Sequence, residues 1–213
     1  MMGGVAALAR RLHLRLFQMT LGAGYRSALK AGLWRNELIE AVAPRAGERI
    51  LEVSAEGFSS CAELARRYPT ARFMTAPLKT TASSGFVALG NLEHLPCCEG
   101  RIQAGGAAFD KVVCALALHA LQPQEKVALL KEMRRVLRSG GALYLADFDA
   151  PSAPGKGSAL RAASYLFGPD SAKPHLDGTW FDIIEKAGFT GVRRVKTCAE
   201  ILGEVAIVRA RRS

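Results

Sequence analysis

Residues 49–68 read Arg-Ile-Leu-Glu-Val-Ser-Ala-Glu-Gly-Phe-Ser-Ser-Cys-Ala-Glu-Leu-Ala-Arg-Arg-Tyr, and this stretch decides the fold. Ile50, Leu51 and Val53 make a short apolar run of strand length, bounded by Gly47 and Gly57. Ser60 stands three residues before Glu63, a capping-box spacing that predicts a helix beginning at Cys61. A strand that feeds a helix through a short turn is the opening unit of a doubly wound α/β domain. In such a domain the ligand lies outside the carboxyl ends of the strands, at this turn. Here the turn is Ser54-Ala55-Glu56-Gly57-Phe58, with a single glycine where a nucleotide-type site uses several to bring backbone close to its ligand.

Toward the C-terminus the alternation continues. Arg72–Ala76 predicts a strand closed by Pro77, Thr80–Gly85 a loop, and Phe86–Leu89 the next strand. Lys111–Leu118 is apolar after its first residue, as a strand covered on both faces requires. Pro123 opens a helix to Leu137, with Val127, Leu130, Met133 and Leu137 inward and Lys126, Lys131, Arg134 and Arg138 outward. Gly140-Gly141 is expected to stop it before a strand at Leu143–Phe148. Residues 150–178, rich in Pro, Gly, Ser and Ala, predict irregular chain with a short helix over Ala159–Phe167. Thr179 suits the cap of a helix from Trp180 to Ala187, stopped by Gly188. Val192–Thr197 and Glu204–Arg209 are close enough in sequence to pair antiparallel.

Toward the N-terminus, residues 1–36 contain no acid. Leu8, Leu12 and Leu16 recur every four residues among Arg10, Arg11 and Arg15, the pattern of a basic amphipathic helix. It suits an entry helix packed on the domain, a helix lying on an anionic membrane surface, or an organelle-targeting segment; scarce serine weighs against the last. A second helix is expected from Tyr25 to Val42, ending before Pro44. The chain thus divides into a helical segment, 1–36, and an α/β domain, 37–213.

Composition narrows the partners. Lys+Arg of 29 against Asp+Glu of 19 leaves +10, which raises nucleic acid or an anionic surface. Aromatic residues make up only 7% and the basic residues are scattered, so a base-stacking platform is not expected, and neither is nucleic acid. No apolar run approaches the roughly 20 residues needed to span a bilayer. Five cysteines without a Cys-x-x-Cys pair argue against a disulfide framework or a zinc site and for a reduced, cytoplasmic setting.

Five stretches, in order, carry a family resemblance: Gly47–Val53, Gly90-Asn91-Leu92-Glu93-His94-Leu95-Pro96, Phe109-Asp110-Lys111-Val112-Val113, the run Glu132–Leu143, and Lys186-Ala187-Gly188-Phe189. Together they resemble the class I S-adenosylmethionine-dependent methyltransferases, nearest those of ubiquinone and menaquinone biosynthesis. The resemblance covers the chain from about Leu21 onward. It implies a doubly wound, mostly parallel, Rossmann-like seven-stranded sheet with an antiparallel last strand, and S-adenosylmethionine as cofactor.

The resemblance also assigns residues. Glu52, Ser54, Ala55, Gly57, Asn91, Leu92 and Ala115 fall at cofactor-site positions, and His119, after the fourth strand, faces the acceptor as a general base. A strand-end histidine satisfied by backbone is the competing reading of His119. Asp147 and Asp149 lie at the same edge, and the segment from Ser158 to His175 covers the acceptor side. Its apolar residues suit a quinone-like or lipid-like acceptor.

Departures from the family pattern lie in the first half. Ser54, Glu56 and Phe58 replace the glycines of Gly-x-Gly-x-Gly, and Pro77 replaces the acid that accepts both ribose hydroxyls. Two functions follow: a small-molecule methyltransferase with an atypical donor site, or an inactive pseudo-methyltransferase that serves as a binding or assembly module. The expected location is the cytoplasm, with contact to a membrane through the N-terminal helix.

Overall fold

Seven strands form one sheet in the order β3-β2-β1-β4-β5-β7-β6. They are β1 (Arg49–Ser54), β2 (Arg72–Pro77), β3 (Leu92–His94), β4 (Phe109–Ala115), β5 (Leu137–Phe148), β6 (Thr190–Glu200) and β7 (Gly203–Arg211). The computed structural model describes residues 32–54, 60–78, 89–96, 100–153, 160, 161, 164, 168–200 and 203–213. The expected helix over Leu8–Leu16, the expected helix before Gly32, the loop 80–85 and most of Ala159–Phe167 lie outside them. β1 pairs parallel with β2 and β4, β3 with β2 and β5 with β4, while β7 runs antiparallel between β5 and β6. This is the expected doubly wound sheet with its antiparallel hairpin.

Among the described residues, five helices cover the two faces: α1 (Trp34–Val42), α2 (Cys61–Arg67), α3 (Pro123–Val136), α4 (Pro169–Leu176) and α5 (Trp180–Lys186). Strand alternation explains the layers. Ile50, Val113, Tyr144 and Ile207 point to one face, where Trp34, Leu38 and Val42 of α1 and Leu64 of α2 pack on them. Leu51, Val112, Leu143 and Val208 point to the other, under Leu130 and Met133 of α3 and Trp180 and Ile184 of α5. Lys111, the polar start of β4, ties this frame to α1: its ammonium donates to the Val42 and Ala43 carbonyls at 3.0 and 3.1 Å and pairs with Glu48 at 2.6 Å. A cation at a helix C-terminus satisfies orphan carbonyls and opposes the helix dipole.

Four local expectations need correction. Helix α2 starts at Cys61, but no capping box forms, since Ser60 makes no side-chain cap and Glu63 instead pairs with Arg67 at 2.8 Å. The orphan amides of Ser60 and Cys61 donate to the Glu52 carboxylate, at 2.6 and 2.9 Å. The third strand is Leu92–His94, later than Phe86–Leu89; residues 86–88 lie outside the description and Leu89 makes only an isolated bridge to Leu92. Gly140-Gly141 does not separate helix from strand. Helix α3 passes directly into β5 at Leu137, and the glycines form a bulge between the Phe109–Leu137 and Lys111–Ala142 pairs. A Cβ on Gly141 would meet the Arg138 carbonyl at 2.8 Å, which is why glycine stands there.

The fourth correction is α4, a helix inside the segment read as irregular. Pro169 occupies its first turn, where no amide hydrogen bond is lost, and Pro174 lies within it. Helix α4 lies at the carboxyl end of β5. It gives Ala172 to the first core cluster, while its His175 stacks on Trp180 of the second.

Candidate functional site

Three parallel strands end side by side at Ser54, Pro77 and Ala115, each paired with its neighbour. Past Ala115 the chain turns sharply. Leu116 has φ of +48°, a conformation bulky residues rarely adopt, and its amide donates to the Ala146 carbonyl at 2.8 Å. This turn delivers a 3-10 turn, Leu118–Ala120, over the carboxyl end of β5.

His119 sits on that turn, 2% exposed. Its Nδ1 meets Asp147 Oδ1 at 2.7 Å. The carboxylate is gripped further: its Oδ2 accepts from the Leu118 and His119 amides at 2.8 and 3.3 Å, and its Oδ1 from the Phe148 amide at 2.8 Å. Burial pushes the Asp147 carboxyl up, but the electrostatic influence of the neighbouring imidazoles of His119 and His175 and these hydrogen bonds outweigh it, holding it well below the usual carboxylate range. Asp147 is therefore an anion that orients the His119 ring through Nδ1.

Two further groups complete the edge. Lys126 is buried, donating to the Leu118 carbonyl and, at 2.8 Å, to the Ser171 carbonyl, so it straps α4 onto the 3-10 turn. Burial pushes its pKa down to about 8, against the pull of Asp147 and Glu125. The helical wheel placed Lys126 outward. It lies inward instead, on the stripe with Leu129, Leu130, Met133 and Val136, where its ammonium is satisfied by the Leu118 and Ser171 carbonyls. Asp149 accepts from Trp180 Nε1 at 3.2 Å and pairs with Arg194, so it ties α5 and β6 to this end of the sheet.

The predicted cofactor residues divide. Ala115 and Ser54 lie adjacent at the sheet edge. Glu52 is fully buried and caps α2, a structural use of its carboxylate. Ala55 and Gly57 lie outside the described residues. Asn91 and Leu92 are placed at the opposite, amino end of β3, where Leu92 pairs with Phe73. The Asn91 amide is used up bracing α2, donating to the carbonyls of Ala65 and Ala71 at 3.0 and 3.2 Å. The structure thus brings Ser54, Ala115 and His119 to one edge and leaves Asn91 and Leu92 away from it. Asp147 and His175 carry more of the edge than spacing suggested. Lys126 was detectable only as a charge on an otherwise apolar stripe.

A nucleoside-bearing methyl donor would lie at these strand ends, where the Glu52 carboxylate fixes the start of the helix after the turn. Pro77 ends β2 beside Ser54 and offers no side-chain acceptor to ribose hydroxyls.

Residues 60–145 match the family described as Methyltransferase domain. The chain is 33% identical over 126 residues to a demethylmenaquinone methyltransferase of Beutenbergia cavernae, covering 56% of this chain and 48% of that protein. It is 26% identical over 162 residues to an uncharacterized methyltransferase of Synechocystis, covering 73% of each. The chain thus spans about half the length of the first of these relatives. Among solved structures it resembles PigF with SAH, with a TM-score of 0.64, 18% identity and 92% of this chain and 58% of that chain covered. It also resembles the YcgJ protein of Bacillus subtilis, with a TM-score of 0.61, 13% identity and 84% and 98% covered. At these identities the structural likeness speaks for the fold.

Proposed function

We propose that the chain is a class I S-adenosylmethionine-dependent methyltransferase that methylates a small quinone-like or lipid-like acceptor, a reading supported by the methyltransferase-domain match over residues 60–145 and by the fold. The observation that carries this reading is the His119–Asp147 pair, 2.7 Å apart, at the same sheet edge as Ser54 and Ala115. S-adenosylmethionine bound at that edge supplies an electrophilic methyl group on a sulfonium. Backbone at Ser54 and Ala115 would hold it, without the ribose carboxylate of the family pattern.

The chain's own residues do the rest. Asp147 keeps the His119 ring in one orientation and stabilises its imidazolium, so Nε2 can take a proton from an acceptor hydroxyl or acidic ring carbon. Lys126 fixes the turn that carries His119. Relatives bearing the name demethylmenaquinone methyltransferase support the acceptor class.

The test is transfer of isotopically labelled methyl from S-adenosylmethionine to a demethylated quinol by the purified chain. Label should appear in the quinol, and His119→Ala should slow it by about 10²–10⁴-fold. Pro77 favours a second reading, a pseudo-methyltransferase kept as a binding module. Absence of transfer together with absence of S-adenosylmethionine binding would support that reading.

A further inference from the structure

The two histidines at this edge are anchored alike but to different ends. His119 Nδ1 faces a carboxylate, whereas His175 Nδ1 lies 2.8 Å from the Phe148 carbonyl oxygen. A carbonyl only accepts, so Nδ1 of His175 carries the hydrogen, and in the neutral ring Nε2 is then a bare acceptor. That Nε2 is buried and has no hydrogen-bond partner among the described residues, on a side chain with no solvent exposure. Leaving a buried acceptor unsatisfied costs stability, and native proteins seldom do so without a use.

The ring cannot escape this state by movement or by charge. It stacks on Trp180 at 5.1 Å between centroids and stands edge-on to His119 at 6.2 Å. Burial, with the nearby charges of Lys126 and His119, pushes its pKa down to about 4, even though Asp147 and the Phe148 carbonyl pull it up. A group so reluctant to be protonated is a poor base for a hydroxyl near pH 7. It is a good fixed acceptor for one. The lone pair also lies on α4, which Lys126 straps to the turn bearing His119.

We propose that His175 is a specificity residue of the acceptor site: its Nε2 accepts a hydrogen bond from a phenol-type or quinol-type hydroxyl, and so selects acceptors that carry one. This rests on the methyltransferase reading for where the acceptor lies, and extends it to which acceptors are chosen. His119 remains the proton-accepting group, and His175 holds the hydroxyl without taking its proton. Sites that hydrogen-bond a substrate hydroxyl discriminate sharply against analogues lacking it, because the buried partner is left unpaired.

The test uses the full chain and two probes of similar shape, 1-naphthol and 1-methoxynaphthalene, binding being followed by calorimetry and by the histidine ¹⁵N resonances. The naphthol should bind about 10-fold tighter than the ether, a difference of about 1.4 kcal/mol, and should move the His175 Nε2 resonance. His175→Phe should abolish the preference by weakening the naphthol alone, and His175→Gln, which retains an acceptor, should restore part of it. Should His175→Phe fail to fold, the resonance of the unaltered chain still decides. Equal affinities, or an Nε2 resonance that naphthol leaves unmoved, would overturn the proposal and leave an internal water as the partner of Nε2. Hydroxyl preference without methyl transfer would sink the activity alone, and methyl transfer without hydroxyl preference would sink this proposal alone.

Discussion

The two halves of the sheet's carboxyl edge are built in opposite ways. Beyond β4 and β5, His119, Lys126, Asp147, Asp149 and His175 are all buried, and Asp147 alone accepts from three backbone amides. Beyond β1 and β2, the ends are Ser54 and Pro77, and the one buried acid among the described residues there, Glu52, serves the start of α2. Among the described residues, the β4–β5 half is over-determined by charge and hydrogen bonds, whereas the β1–β2 half ends without such a network. Under the proposed function, the first half positions the acceptor and the second meets the donor.

The comparison breaks most visibly at Asp147. Asp147→Ala strips the acceptor from the Leu118 and Phe148 amides and from His119, and should cost about 3–5 kcal/mol, read as a fall in the urea midpoint. A loss below about 1 kcal/mol would mean the polar half is not a unit.

Next in size is a pH effect from His175. Its pKa is near 4 in the folded chain against an ordinary 6.5, so between those values the unfolded chain binds a proton that the folded chain refuses. Stability should therefore fall as pH drops through this window, by up to about 3 kcal/mol, and His175→Gln should flatten the slope in denaturant titrations from pH 7 to 4. An unchanged slope in the variant would place the effect elsewhere. Lys126→Met should cost about 2 kcal/mol by removing the ammonium's bonds to the Leu118 and Ser171 carbonyls, and hydrogen exchange should show α4 opening before the sheet.

How much of this was legible follows from range. Strand β1, helix α2, helix α3 and the β6–β7 hairpin were readable because period and end signals are local, as with Ile50-Leu51-Val53 and Pro123. The shift of the third strand to Leu92–His94 was not, since its register against Phe73 depends on β2 rather than on its own residues. Gly140-Gly141 reads as a helix stop, yet the bulge it forms is set by pairing with Phe109 and Lys111. His119 could be placed after a strand by sequence. Its partner Asp147 is 28 residues away, and only the parallel pairing of β4 with β5 joins them. Asn91 shows the converse, for a motif position matched while its amide went to the carbonyls at the end of α2.

The account turns on Pro77, which stands at the end of β2 where a ribose acceptor is missing. Calorimetric titration of S-adenosylhomocysteine into the unaltered chain and into Pro77→Asp tests it directly. Binding by the unaltered chain, tightened about 10-fold in the variant by the restored ribose acceptor, is the predicted result. Affinity that the aspartate leaves unchanged or weakens would contradict the claim that the end of β2 meets the donor's ribose and lacks only an acceptor for it.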